Sequence, residues 1–471
     1  MLRLHDRVNL LRLCFHPALT HLLRTLLPAV GVPGVRLFDE TIKSALTAWI
    51  ADPDIPAHHW DIIGLPVSIS SGLGLARQET IKPFAAAASI TLTSGFLASR
   101  GSALSSTLLH RHPSLADALH ESADNLGIDP SNLFGSAIWT IRGLQHLILL
   151  RVHERSWKSI FDSLTPDNQV RFLENSGGLA RAWLNWVPRD KREALSDPAA
   201  RYALRSMLLS PFSNLRDSQD PSFCRICNRT DFATHHLYCH HRKGDWTYRH
   251  HAIRDNLAYA MEYVGVKNVH REWTLPIVRA DNNQSVIADI VGTWPDQVRH
   301  TIEVKVHALE DPLRSYTWPS ENSVLQALCA KEARSKTGDA QPDELAPQIP
   351  PFDPEAPSRA SVPLHQTVGR IEMFRALAIK MAILPSFKSL ISSVKNDYAQ
   401  AGCPDVHPFV ISAGGFLSKP ALQTIALIAS CGPRDSDSAQ AHKSRMHLLA
   451  SLSRTLWEKN FGCARSHEER L

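Results

Sequence analysis

The run SVIADIVGTWPDQVRHTIEVKV, from Ser285 to Val306, constrains the fold more than any other stretch of the chain. Val286 to Val291 is apolar on both faces of an extended chain, apart from Asp289. Such a run belongs in a central strand covered on both sides. A lone carboxylate there is costly unless it is paired, hydrogen-bonded or metal-bound. Further on, Thr301, Glu303 and Lys305 share one face of a strand, while Ile302, Val304 and Val306 share the other. Trp294-Pro295-Asp296 supplies a turn, so a hairpin brings Asp289 toward Glu303 and Lys305. An apolar face enters the core, and two acids and an amine gather on the opposite side.

Two carboxylates and a lysine at this spacing suit phosphodiester hydrolysis. Asp289 and Glu303 are the candidate Mg²⁺ ligands, since that ion takes oxygen donors in octahedral geometry. The metal would polarise the scissile phosphate and lower the pKa of a bound water. Lys305 would orient that water or stabilise charge on the phosphorane. Glu262 and Glu272 are candidates for a further carboxylate. The bland alternative is a surface Glu/Lys pair beside a hydrogen-bonded Asp, because Glu-x-Lys alone is common.

The whole chain of 471 residues, 44% hydrophobic and 21% charged, has globular composition and length for about three domains. A net charge of +5 permits a polyanionic partner without requiring one. Up to about residue 215 apolar residues recur at three- and four-residue spacing, which predicts helices broken at Pro28, Pro33, Pro53, Pro56 and Pro66. The uncharged run between Lys82 and Arg100 is too short and too weakly apolar for a membrane span and predicts a buried helix. Ser71-Gly72-Leu73-Gly74-Leu75 marks a loop or helix start; no Gly-Lys-Ser/Thr follows to make a phosphate loop. The N-terminus lacks the core and cleavage site of a secretory leader.

Of eight cysteines, Cys224, Cys227 and Cys239 cluster among histidines. That pattern predicts a reducing compartment and a metal site rather than disulfides. Cys224 and Cys227, two residues apart, can aim both sulfurs at one ion from a tight turn; His235 and Cys239 complete a structural zinc site. His236, His240 and His241 remain alternative ligands. Arg225, Arg229, Arg242, Lys243 and Arg249, with Trp246 and Tyr248, suit phosphate contacts and base stacking, or else form a solvated rim. A helix is expected over Ala252–Val264, then strands over Val269–Val278, Ser285–Trp294 and Arg299–His307. Six prolines in residues 335–360 mark a surface insertion. A helical pair over Thr367–Ala401, a strand over His407–Ser412 and helices over Lys419–Ser430 and Ser436–Lys459 complete an α+β pattern.

Cys224, Cys227, His235 and Cys239, then Arg249-His250, Asp289 and Glu303-Val304-Lys305, resemble the C-terminal end of LINE-type (non-LTR) retrotransposon reverse-transcriptase polyproteins. In those elements a zinc knuckle precedes a restriction-like endonuclease of the PD-(D/E)xK fold. Lys395 and Tyr398 in SSVKNDYAQ resemble the family's Lys/Tyr helix, and HPFVISAGGFL its late strand and glycine turn. LLRTLLP, Phe38-Asp39 and Leu65-Pro66 with the following glycines are similar to its thumb and linker. The resemblance implies Mg²⁺-dependent nicking of a DNA target, possible RNA contact, a nuclear location and no membrane. Ala288 stands where the motif has proline, and the His235–Cys239 gap is one residue shorter than usual. No adjacent Asp-Asp pair occurs, so the polymerase palm signature is missing and copying of RNA is not expected.

The expected organisation is therefore a helical region (1–215), a zinc knuckle (216–246) and a restriction-endonuclease-like domain with a mixed sheet (247–471). Two other readings carry different functions: a nucleic-acid-binding remnant that has lost cleavage, and a helical interaction scaffold with a passive zinc site.

Overall fold

The computed structural model describes residues 2–50, 59–67, 72–98, 110–126, 144–210, 243–278, 285–307, 365–400, 405–431 and 438–468, with isolated positions at 309, 318–330 in part, and 403. The zinc-type residues Cys224, Cys227, His235 and Cys239, and the proline-rich stretch 335–360, lie outside the described residues. The chain is α+β, and its contacts divide it into two units.

One unit, Asn9–Leu164 with Trp318–Ala378, is helical among its described residues. It contains α1 (His16–Leu23), α2 (Val32–Ile50), α3 (Gln78–Ala98), α4 (Pro113–Leu126) and α5 (Leu144–Ser163). The uncharged run forms α3, as its composition predicts: Phe84, Ala87 and Ala88 are buried against Leu115 and Leu119 of α4 and Ile148 of α5. Pro33 does not break a helix. It stands in the first turn of α2, where a missing N–H costs nothing. The two-glycine loop is a chain crossing: Leu73 and Leu75 donate to the Ile63 carbonyl, and Gly74 to that of Leu65. A Cβ on Gly72 would sit 1.9 Å from the Leu65 oxygen, so only glycine fits. Trp157 stacks on Phe161, which meets Trp318 and Phe374 edge-on.

The other unit, Met1–Val8, Thr165–Thr317 and Ile379–Leu471, carries the sheet. Residues 165–210, placed by sequence pattern at the end of the helical region, belong to this unit as α6 (Pro166–Asn175), α7 (Gly178–Ala182) and α8 (Asp197–Met207). Then come α9 (Lys243–Tyr263), β1 (Lys267–Val278), β2 (Ser285–Thr293), β3 (Arg299–His307), α10 (Leu384–Gln400), β4 (Val406–Ser412), α11 (Lys419–Ser430) and α12 (Ser438–Glu468). The strands match the expected spans to within two residues. Helix α9 begins nine residues earlier than its apolar stripe suggests, because its first turns are polar.

The sheet order is β1-β2-β3-β4, with β1–β2 and β2–β3 antiparallel and β3–β4 parallel. Asp289 thus lies on a central strand, as its apolar surroundings predict. Pro276 and Pro408 fall on the two edge strands, where an absent N–H is tolerated. The β2–β3 turn closes with Trp294 N donating to Val298 O at 2.9 Å, and Gln297 takes φ 67. On one sheet face Ile290, Ile302, Val304 and Phe409 pack against Ile253 and Leu257 of α9, Ile425 of α11 and Leu452 of α12. On the other, Val291 and Val406 meet Val394 and Tyr398 of α10. A buried carboxylate fastens the turn after β4: Gly414 N donates to Glu174 Oε1 of α6 at 2.7 Å. A Cβ on Gly414 would come within 2.5 Å of the Glu174 carboxylate carbon.

Candidate active site

Alternation along β3 decides which side chains can act. Ile302 and Val304 are fully buried in the core, so Thr301, Glu303 and Lys305 turn the other way. The β2–β3 ladder pairs Ile290 with Ile302. One step beyond, a side chain takes the place of the main chain: Val304 N donates to Asp289 Oδ2 at 2.8 Å. Asp289 is thereby held beside the Glu-x-Lys strand, which answers how a carboxylate survives in an apolar run.

Four groups fix the two acids. His250 of α9 lies with Nε2 2.9 Å from Asp289 Oδ1. Lys305 Nζ donates to Glu303 Oε1 at 2.7 Å, and the Tyr398 hydroxyl donates to Glu303 Oε2 at 2.7 Å. The Asp289 and Glu303 side chains are only 13% and 12% exposed, whereas that of Lys305 is 42% exposed. The acids are anchored from inside and the amine reaches solvent.

The environments drive the two carboxyls apart. Burial pushes Asp289 up, but the His250 hydrogen bond and charge, the Val304 N–H and Lys305 outweigh it, so Asp289 sits below its ordinary value. Burial, then the Asp289 charge, raise Glu303; Lys305 and Tyr398 oppose this without cancelling it. Tyr398 is raised by burial and by the Glu303 charge, so it stays a phenol and can only donate to that carboxylate. Two acids of opposite displacement are the arrangement acid–base chemistry needs. Their mutual repulsion in a semi-buried site is also what a divalent cation would relieve.

Asp289, Glu303 and Lys305 are therefore brought together as the hairpin predicts. Glu262 and Glu272 are not part of the group. Glu262 pairs with Arg271 at 3.0 Å. Glu272 falls between the pairs Arg271↔Ile290 and Trp273↔Ala288, next to Asp289 in register. Its φ is 53, within a strand whose register continues through it, and its carboxylate is engaged by Arg254 and by His251 at 3.3 Å. Arg249, read as a phosphate contact, is buried and donates to Asn460. Lys395 is exposed on α10, one turn before Tyr398. His250 and Tyr398 hold the two acids, and the residue pattern alone assigned them no role. Tyr398 follows Val394 at helical spacing on a buried stripe, and a buried phenol needs a partner.

No family model matches the chain, and no curated protein does.

Among the described residues no set of three or more His, Cys, Asp or Glu converges as a complete metal cage. A pair of carboxylates is the donor set Mg²⁺ uses when substrate phosphate and water fill the remaining positions. Asp289 and Glu303 fit that role by the chemistry of their oxygens and by the repulsion that keeps Glu303 raised beside Asp289.

Proposed function

We propose that this chain is a divalent-metal-dependent DNA endonuclease of the restriction-like, PD-(D/E)xK type. It resembles the target-nicking end of a LINE-type retrotransposon polyprotein. The observation that carries the reading is the meeting of Asp289, Glu303 and Lys305 on one face of the hairpin, with every carboxylate oxygen held by a named donor.

Asp289 and Glu303 are the residues that would hold Mg²⁺, which supplies charge neutralisation of the scissile phosphate and acidification of a bound water. Lys305 holds Glu303 with its ammonium and, being half in solvent, presents the remaining protons toward the phosphodiester. His250 fixes the rotamer of Asp289, and Tyr398 that of Glu303, so both acids are oriented before substrate arrives. The segment with Cys224, Cys227, His235 and Cys239 serves in this reading as a zinc-held nucleic-acid grip.

Conversion of supercoiled plasmid to the nicked form in Mg²⁺ tests the proposal. Nicking by the wild type that is abolished in Glu303→Gln and in Lys305→Met, with both variants folded, supports it. Absence of cleavage by wild type that still binds DNA makes the chain a binding remnant and overturns it.

A further inference from the structure

A second site lies on the far side of α9. The stripe Asn256, Tyr259, Ala260, Tyr263 and Val264 on α9 faces Lys443, His447, Leu448 and Ser451 on α12 across a cleft of about 690 Å³. Asn256 Nδ2 donates to Ser451 Oγ at 3.0 Å and Thr455 Oγ1 at 2.8 Å, which closes one end. Ile428 and Leu448 make an apolar floor, and Trp186 and Arg189 form the third wall.

The walls are aromatic and the rim is cationic. Tyr259 and Tyr263 are 66% and 79% exposed, although soluble surfaces have little use for two bare phenols one turn apart. Trp186 leans on His447 with ring centroids 5.1 Å apart. Arg189 and Lys443 line the cleft and are exposed. The nearby acids are already engaged. Glu193 accepts from Trp186 Nε1 and Arg189 N and lies 4.0 Å from His447, while Asp190 accepts from the Arg192 and Glu193 amides. Among the charged lining residues Arg189 and Lys443 outnumber Glu193, so the cleft is net cationic.

We infer that this cleft binds a single-stranded polynucleotide. Residues four apart on a helix stand about 5–6 Å from one another, which lets Tyr259 and Tyr263 stack on successive unpaired bases while the cations follow the backbone. A duplex keeps its bases inside its own stack and cannot use those rings. The inference goes beyond the nuclease reading and does not need cleavage: it rests on α9, α12 and the Trp186 wall, and none of the residues around Asp289 takes part.

The test uses the full chain in EDTA, with fluorescein-labelled oligo-dT, oligo-rU and a duplex of equal length. Tyr259→Ala with Tyr263→Ala weakens single-strand binding by roughly 30-fold or more, the worth of two lost stacking contacts. Tyr259→Phe with Tyr263→Phe keeps it, because the ring is retained. A 5-bromouridine oligonucleotide crosslinks to peptides containing residues 256–264 or 443–451. Loss with dT alone, rU alone or both states which polynucleotide the cleft takes. Unchanged affinity in the alanine variant, equal displacement by polyglutamate, or crosslinks confined to residues 211–242 overturns the inference. Binding and crosslinking are read in EDTA, where the proposed nuclease is idle, so a failed nicking assay and a failed cleft are distinguishable.

Discussion

Tyr398→Phe isolates one hydrogen bond at the proposed centre with almost no change of shape. The Tyr398 hydroxyl donates to Glu303 Oε2 at 2.7 Å, and Tyr398 is 2% exposed, so water cannot replace it without opening the α10 contact. A hydrogen bond to a charged group is worth about 1.5–3 kcal/mol. That energy favours ionised Glu303, whose carboxyl is already raised by burial and by Asp289. Removing the donor raises it further. On the acid side of the activity profile the ionised fraction, and nicking with it, falls by roughly 10- to 150-fold. The deficit closes as pH rises and Glu303 ionises in both proteins. The assay is initial nicking rate against pH at saturating Mg²⁺. An equal loss at every pH, or an unchanged acid limb, refutes the idea that Tyr398 acts through the charge on Glu303.

Three other outcomes follow from the same geometry. His250→Ala frees Asp289 Oδ1 but leaves the Val304 N–H in place, so nicking falls about 10- to 100-fold and the Mg²⁺ requirement rises, read from titrations of rate against metal. Asp289 is held below its ordinary value, so its ionisation contributes stability that is fully present above the ordinary carboxylate range and disappears as pH falls through the lowered value; Asp289→Asn flattens this acid-side loss in urea unfolding below about pH 4. Gly414→Ala drives a methyl into the Glu174 carboxylate and costs about 1–3 kcal/mol, seen as a lower Tm.

The hairpin was legible because its two halves obey simple periodicities. Alternation along Thr301–Val306 assigns faces without help from the rest of the chain, and an acid in an apolar run demands a partner. The partners themselves were harder to assign. His250 and Tyr398 lie 39 and 95 residues from the acids they hold, and no local pattern encodes such distances. Glu272 misled for a related reason. Its place in β1 is beside Asp289, but a left-handed residue turns its carboxylate to Arg254, and glutamate gives no advance sign of φ 53. The allegiance of residues 165–210 was equally hidden: α6 reads as one more amphipathic helix, and what ties the segment to the sheet, such as Glu174 under Gly414 and Ala180 N on the Gly415 carbonyl, spans more than 230 residues.

Sheet order also sets a schedule for biosynthesis. Strand β3 is flanked by β2, which emerges just before it, and by β4, which follows Tyr398. Between Glu303 and Tyr398 the ribosome must add 95 residues, roughly 5 to 20 seconds of elongation. For that interval the nascent hairpin offers a bare hydrogen-bonding edge and an uncovered acid pair. Until Tyr398 and β4 follow, that open edge is free to pair with any other extended chain it meets, so this stretch of synthesis is where misassembly threatens most.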